Sequence, residues 1–260
     1  MNDRETRIIA VANEKGGVGK TATVVNLAAA LSLNNKKVLV VDMDPQHCAT
    51  RGFGVDVDDD MANAYDLMTT EEQAPAKDVI INTKWDGLDL IPSHVDLAGA
   101  EVELIDEEGR ENRLKEAFDG VVSDYDFILL DTPPSLSLLT VNVFAFANEV
   151  IVPCQTHPYA YAALEDLFDT IDTIKEDINP ELDVTGIVAT FFDKRTRTSR
   201  GILEKLKTDE RYKELLFDTV IRGNITIAAS SDVGKPIVFF RRGSYGTKDY
   251  MALAEELVKT

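Results

Sequence analysis

Lys15-Gly16-Gly17-Val18-Gly19-Lys20-Thr21 decides how the rest of the chain is read, because an apolar run precedes it and a helical pattern follows it. Ile8-Ile9-Ala10-Val11-Ala12 does not alternate and is rich in β-branched residues, the pattern of a strand buried on both faces of a parallel sheet. From Thr21 to Leu31 apolar residues recur at helical spacing. A glycine-rich turn joining such a strand to such a helix brings backbone N–H groups close to an anion, since no Cβ intervenes, and the helix dipole adds to the attraction. Gly16, Gly17 and Gly19 supply the turn, with Val18 between them and Ala22 in the first helical turn. In this loop logic Lys20 reaches the β- and γ-phosphates of a nucleoside triphosphate and the Thr21 hydroxyl ligates Mg²⁺. The bland alternative is a tight strand-to-helix connection with no ligand.

Length and composition narrow the class. The 260 residues are 44% hydrophobic and 28% charged, ordinary for a folded protein and ample for one large α/β domain, read here as residues 1–260. Apolar runs stop well short of the ~18 residues of a membrane span, and Met1–Arg7 lacks the apolar core of a secretory signal, so the expected location is the cytoplasm. Cys48 and Cys154 form no CxxC and read as free thiols. The net charge of −19 argues against a nucleic-acid binder if taken globally, but it is unevenly spread. Residues 1–190 carry 13 Lys and Arg against 36 Asp and Glu, whereas residues 191–260 carry 14 against 10.

A second lysine, Lys15, precedes the glycine pair, and one phosphate site needs only one. A lysine followed by GGxGK[ST] resembles the signature of the deviant Walker ATPases of the ParA/MinD family. In that family the signature lysine reaches across an ATP-sandwich homodimer to the partner subunit's phosphates, which is the role the resemblance implies for Lys15.

The resemblance continues along essentially the whole chain. Val38-Leu39-Val40-Val41-Asp42 reads as a second buried strand and leads into Met43-Asp44-Pro45-Gln46. Its carboxylates fall at a strand's C-terminal edge, where doubly wound sheets bind ligands, and the bland reading is a strand-terminating turn. DxDPQ is similar to the family's Walker A′ segment, which implies that Asp44 positions the attacking water and that Asp42 is a Mg²⁺-side candidate. Phe127-Ile128-Leu129-Leu130-Asp131 ends an apolar run in one carboxylate, and burying that charge makes sense where a cation waits. The resemblance makes Asp131 the Walker B aspartate and Thr132 to Ser135 the segment that senses the γ-phosphate. Asp56, Asp58, Asp59 and Asp60 match a metal loop by count only and read as a solvated acidic loop.

Further elements follow by pattern. A short helix is predicted at Ala62–Met68, a strand at Gly87–Ser93, helical spacing from Val95 to Val122, a strand at Glu149–Cys154, a helix from Tyr159 to Ile178, a strand at Thr185–Phe192 and a last helix from Gly246 to Lys259. Alternating strands and helices indicate an α/β fold: a doubly wound, mostly parallel sheet flanked by helices on both faces, as in P-loop NTPases.

Lys194, Arg195, Arg197 and Arg200 form the first cluster of the cationic part, and Lys235, Arg241, Arg242 and Lys248 the second. Clustered cations without interleaved aromatics suggest contact with a phosphate backbone, and a solvated helix face is the alternative. Asp193-Lys194-Arg195-Thr196 is similar to the segment carrying the family's DNA-contacting arginine, so Arg195 inherits that role. Where the family often reads PRN followed one residue later by Arg, this chain has Gly223 and Thr226 in the two basic positions and retains Asn224, the nucleotide-base candidate. Leu97–Glu101 resembles the ParA/Soj branch more than the MinD branch.

The implied function is a partition ATPase: ATP and Mg²⁺ close a homodimer, the dimer binds double-stranded DNA without sequence preference on the nucleoid, and a ParB-like or other adaptor protein stimulates hydrolysis. Three rivals share the chassis. A MinD-like membrane switch needs a terminal amphipathic helix, and Met251–Val258 is short and acidic. An iron protein of the nitrogenase kind needs cluster cysteines. A small-molecule ATP-dependent enzyme such as a dethiobiotin synthetase shares the fold, which does not fix function.

Overall fold

Among the described residues eight strands form, most of them where the sequence runs apolar: β1 (Arg7–Val11), β2 (Val38–Asp42), β3 (Ile81–Asn82), β4 (Leu88–Ile91), β5 (Phe127–Asp131), β6 (Glu149–Gln155), β7 (Asp183–Phe192) and β8 (Leu216–Arg222). These come from a computed structural model that describes residues 5–69 and 73–260, so Met1–Arg4 of the N-terminal segment lie outside it. The strands build one sheet in the order β3-β4-β2-β5-β1-β6-β7-β8, parallel except for the short edge pair β3–β4. Alternation along β1 sends Ile8 and Ala10 to one core and Ile9 and Val11 to the other. Both faces are covered, which makes the sheet doubly wound.

One face carries the helices Lys20–Leu33 and Tyr245–Leu257, which pack on each other. The first is buried on nearly every side, and Ala28, Ala29 and Ala30 let its neighbours approach closely. It stops at Asn34 and Asn35, the latter in the left-handed conformation that Asn tolerates (φ 59°). The helix Tyr245–Leu257 buries Tyr250, Leu253, Ala254 and Leu257, so its apolar stripe is spent on the core. Among the described residues no helix is long and apolar enough to cross a membrane.

Several predicted elements differ in detail. Ala62–Met68 is a run of turns, because Asn63 and Asp66 bind backbone N–H groups locally instead of releasing them to a helix. The region from Val95 to Val122 breaks into the helices Leu97–Glu103 and Arg113–Ala117, with Gly109 turning the chain between them at φ 73°. The predicted Tyr159–Ile178 helix is two, Pro158–Ala162 and Leu164–Asp177. β8 and the antiparallel β3 had no sequence prediction.

The strand order sets the site. β1 lies between β5 and β6, with β2 beyond β5, so the connections leaving β1 and β5 run to opposite sides and open a crevice at the C-terminal ends. Val11 and Asp42 both stand in register with Asp131, which brings the first loop and both strand-end carboxylates together.

Candidate active site

The loop after β1 needs glycine at two places: φ is +77° at Gly17 and +98° at Gly19. Gly16 is different. Its φ is not in the left-handed region, and a Cβ there would meet only the Pro134 side chain at 3.9 Å. The helix Lys20–Leu33 starts at Gly19 with no side-chain cap and no acidic residue in its first turn, so no carboxylate competes for its N-terminal N–H groups. Asn13 braces the loop from within. Its side-chain amide donates to Pro153 O at 2.9 Å, its Oδ1 accepts the Lys15 N–H at 2.9 Å, and its carbonyl accepts Lys20 Nζ at 2.9 Å. Val18 is buried, and its carbonyl accepts the Thr190 hydroxyl at 2.7 Å, tying the loop to β7.

Gly16, Gly17, Gly19, Lys20, Thr21 and Ala22 line a cavity of about 900 Å³, and Asp44 lies on its wall. The far wall carries Arg51, Lys84 and the segment Ser231–Gly234. There two loops cross backbone to backbone. Gly54 and Gly234 both have positive φ, and a Cβ on Gly234 would sit 2.5 Å from the Gly54 Cα. Lys15 is not on this wall. Its ammonium stands 5.7 Å from the ring centroid of the exposed Tyr159.

Charge is concentrated beside Lys20. Asp131 is fully buried, and among the described residues neither of its carboxylate oxygens has a hydrogen-bond partner. Burial first, and then the neighbouring Asp42, hold its carboxyl well above the usual range; the nearby Thr21 hydroxyl and Lys20 pull the other way. Asp42 is also fully buried and is pushed up to about 6 by burial, opposed by the hydrogen bonds from Thr50 and the Asp44 N–H. Lys20 is lowered by burial, against the raising influence of Asp131 and Asp44.

The two metal-side candidates therefore have unequal surroundings. Asp42 is engaged by Thr50 and Asp44, while Asp131 offers two free oxygens. Among the described residues no cluster of His, Cys, Asp and Glu could hold a metal unaided. That suits Mg²⁺, which takes one or two protein oxygens and completes its shell with phosphate and water.

A second, smaller cavity of about 180 Å³ adjoins Gly19 and Ala22 and is lined by Phe191, Ile221, Ile227 and Tyr250, with Asn224 at its edge. Asn224 Oδ1 caps the helix Ile225–Asp232 by accepting the Thr226 N–H at 2.9 Å. Phe191 had no sequence signal. It adopts φ +52°, uncommon for a bulky residue, and its ring packs where a Gly19 side chain would go, 3.4 Å from the position of that Cβ.

The cationic residues divide. Lys194, Arg197 and Arg200 are exposed with no ion-pair partner among the described residues. Arg195 is exposed too, but its guanidinium forks onto Asp193 at 3.0 and 2.9 Å, holding that carboxyl at about 2. Elsewhere in the cationic part, Arg222 is paired with the buried Asp249. Phe192 of β7 pairs with Arg222 of β8, and Arg222 stands 4.1 Å from the Tyr245 ring centroid, one turn from Lys248.

Both cysteines are free, and they differ in access. Cys48 lines the large cavity; Cys154 is fully buried, and burial pushes its thiol up to about 12. Since the thiolate is the reactive form, iodoacetamide at about pH 8 is expected to modify Cys48, more slowly with Mg-ATP present, and to leave Cys154 intact. Peptide mass spectrometry checks this; equal labelling of Cys154 in the folded protein would contradict the burial argument.

Comparison with known proteins gives the family. Residues 6–184 match the family model described as an AAA domain. The chromosome partitioning protein ParA of Myxococcus xanthus is 38% identical over 253 residues, covering 97% of this chain and 88% of its own length. The sporulation initiation inhibitor protein Soj of Bacillus subtilis is 39% identical over 251 residues, covering 96% and 98%. Among solved structures, cobyrinic acid a,c-diamide synthase of Mycobacterium smegmatis with a bound ATP analog and magnesium superimposes with a TM-score of 0.83 at 33% identity, covering 98% of this chain and 95% of that one. With its deviant lysine, its glycine loop and two strand-end aspartates on one mostly parallel sheet, the chain belongs to the ParA/Soj family of P-loop ATPases.

Proposed function

We propose that this ATPase is a partition switch: Mg-ATP closes a homodimer, the dimer holds nonspecific double-stranded DNA on the nucleoid, and a ParB-like or other adaptor stimulates hydrolysis to release it. The observation that carries the nucleotide part is the buried Asp131 with two orphaned oxygens beside Lys20, next to an uncapped helix start. In this reading the N–H groups from Gly16 to Ala22 hold phosphate oxygens, Lys20 neutralises them, and Thr21 and Asp131 hold Mg²⁺, with Asp42 supporting from behind. Bound there, the ion would offset charge on the phosphates. The small cavity takes the base, with Asn224 at its rim. Lys15, standing outside its own cavity beside exposed Tyr159, is free to serve a partner subunit.

Asp131→Asn tests the cation reading. The nucleotide-free variant is expected to be more stable than wild type by about 1 kcal/mol, because an unpartnered buried carboxylate is removed. Mg-dependent hydrolysis should nevertheless be lost. Denaturant unfolding and phosphate release measure the two, and a less stable variant or full activity would sink the assignment.

For DNA, the cationic edge supports contacts through Lys194, Arg197 and Arg200, with Arg195 contributing only after release from Asp193. Binding is expected with ATP, where two patches add on one duplex, and to weaken at least about a hundredfold between ~50 and ~200 mM salt. Arg197→Glu with Arg200→Glu should lose more affinity than Arg195→Ala, equally across sequences. Nonspecific duplex binding with ATP, ADP or no nucleotide checks this; no binding at low salt overturns the DNA part. The synthase's similarity favours one rival, a small-molecule ATP-dependent enzyme. Turnover that requires an added carboxylate substrate would support that rival.

A further inference from the structure

Asp44 is held by its main chain, and the residues that hold it lie outside the nucleotide loop. Its N–H donates to Asp42 Oδ1 at 3.2 Å, and its carbonyl accepts the Ser93 hydroxyl at 2.8 Å and the His47 N–H at 2.8 Å. Thr50 closes the circuit. Its hydroxyl and N–H donate to Asp42 Oδ2 at 2.7 and 2.8 Å, and its hydroxyl oxygen accepts the Ser93 N–H at 3.0 Å. Each hydroxyl proton has one acceptor, so the ring Asp42–Thr50–Ser93–Asp44 is satisfied without conflict.

The ring is buried. Asp42, Thr50 and Ser93 are inaccessible to solvent, and Asp44 is 8% exposed. Its members come from three places: the end of β2, the helix Cys48–Gly52, and the segment after β4. On the Asp44 carboxylate itself only Oδ1 is engaged, by the Gln46 N–H at 2.9 Å. The circuit thus fixes the backbone of residue 44 while leaving carboxylate capacity on the cavity wall. A hydroxyl pair serving packing alone has no reason to grip both the N–H side, through Asp42, and the C=O side of one wall residue.

We infer that Thr50 and Ser93 are positioning residues for ATP hydrolysis, acting through the main chain of Asp44; this rests on the reading of Asp44 as the group that orients water. Geometry of this kind matters because small misplacements of a reacting group cost large factors in rate. Neither residue is placed against phosphate or base, so nucleotide affinity should be spared.

The test is single-turnover ATP hydrolysis and nucleotide affinity for Thr50→Val, Ser93→Ala, Thr50→Ser and Asp44→Ala. Thr50→Val and Ser93→Ala are expected to lose at least about tenfold in hydrolysis rate with affinity within about threefold, whereas Thr50→Ser stays near wild type. In an Asp44→Ala background Thr50→Val should add no further loss, because both changes remove one function. Unchanged rates in Thr50→Val and Ser93→Ala alongside a slow Asp44→Ala would overturn the brace. So would a further loss in the double variant. A wild-type rate in Asp44→Ala would instead remove the underlying reading of Asp44. Should Thr50→Val fail to fold, Ser93→Ala decides, since it deletes one hydrogen bond at little change in volume.

Discussion

Lys20→Ala is expected to abolish nucleotide binding, with affinity falling by at least about a hundredfold in a folded protein. Lys20 is the cation buried at the start of the helix Lys20–Leu33, and Lys15 points away to Tyr159 and cannot substitute. The ammonium also does structural work in the free protein. It donates to Asn13 O and faces Asp131 and Asp44, so the variant should lose stability as well. Far-UV circular dichroism must therefore accompany titration with a fluorescent ATP analog. A folded variant with wild-type affinity would remove the glycine loop from the site.

Asp44→Ala is expected to do something different: bind ATP normally and hydrolyse it slowly, by about a hundredfold or more, so that the ATP dimer accumulates. Asp44 is on the cavity wall but makes no hydrogen bond to the loop, and Asp131 acts on the Lys20 ammonium more strongly than Asp44 does. Size-exclusion with ATP and Mg²⁺, alongside phosphate release, separates the two effects. A monomer hydrolysing at the wild-type rate would end the assignment.

The features legible in sequence were those written in local pattern. β1, β2 and β5 are mostly apolar runs; β2 and β5 end at Asp42 and Asp131, where a carboxylate closing such a run is conspicuous, and β1 is followed within a few residues by the glycine loop. The features missed depend on residues far apart in the chain. Thr50 and Ser93 are unremarkable hydroxyls until β4 is placed beside β2. Phe191 acquires meaning only when β7 delivers it to Gly19. The fork of Arg195 on Asp193 is likewise a matter of side-chain geometry, which charge counts do not carry. β8 was hidden because it is an edge strand with irregular pairing, so just Phe217 and Ile221 are buried along it.

The crossing of Gly54 and Gly234 bears on the order in which the molecule is made. The phosphate loop is synthesised first, yet Ser231–Gly234 form part of the far wall of its cavity, and the helix Lys20–Leu33 gains much of its cover from Tyr245–Leu257. Contacts this distant in sequence form late, because a long stretch of chain must be closed before they are rewarded. A ribosome-bound chain lacking residues 231–260 therefore displays the loop without an enclosed cavity and leaves an alanine-rich helix face bare. A chain stopped ahead of residue 231 is therefore expected to hold nucleotide poorly even though its whole phosphate loop is present.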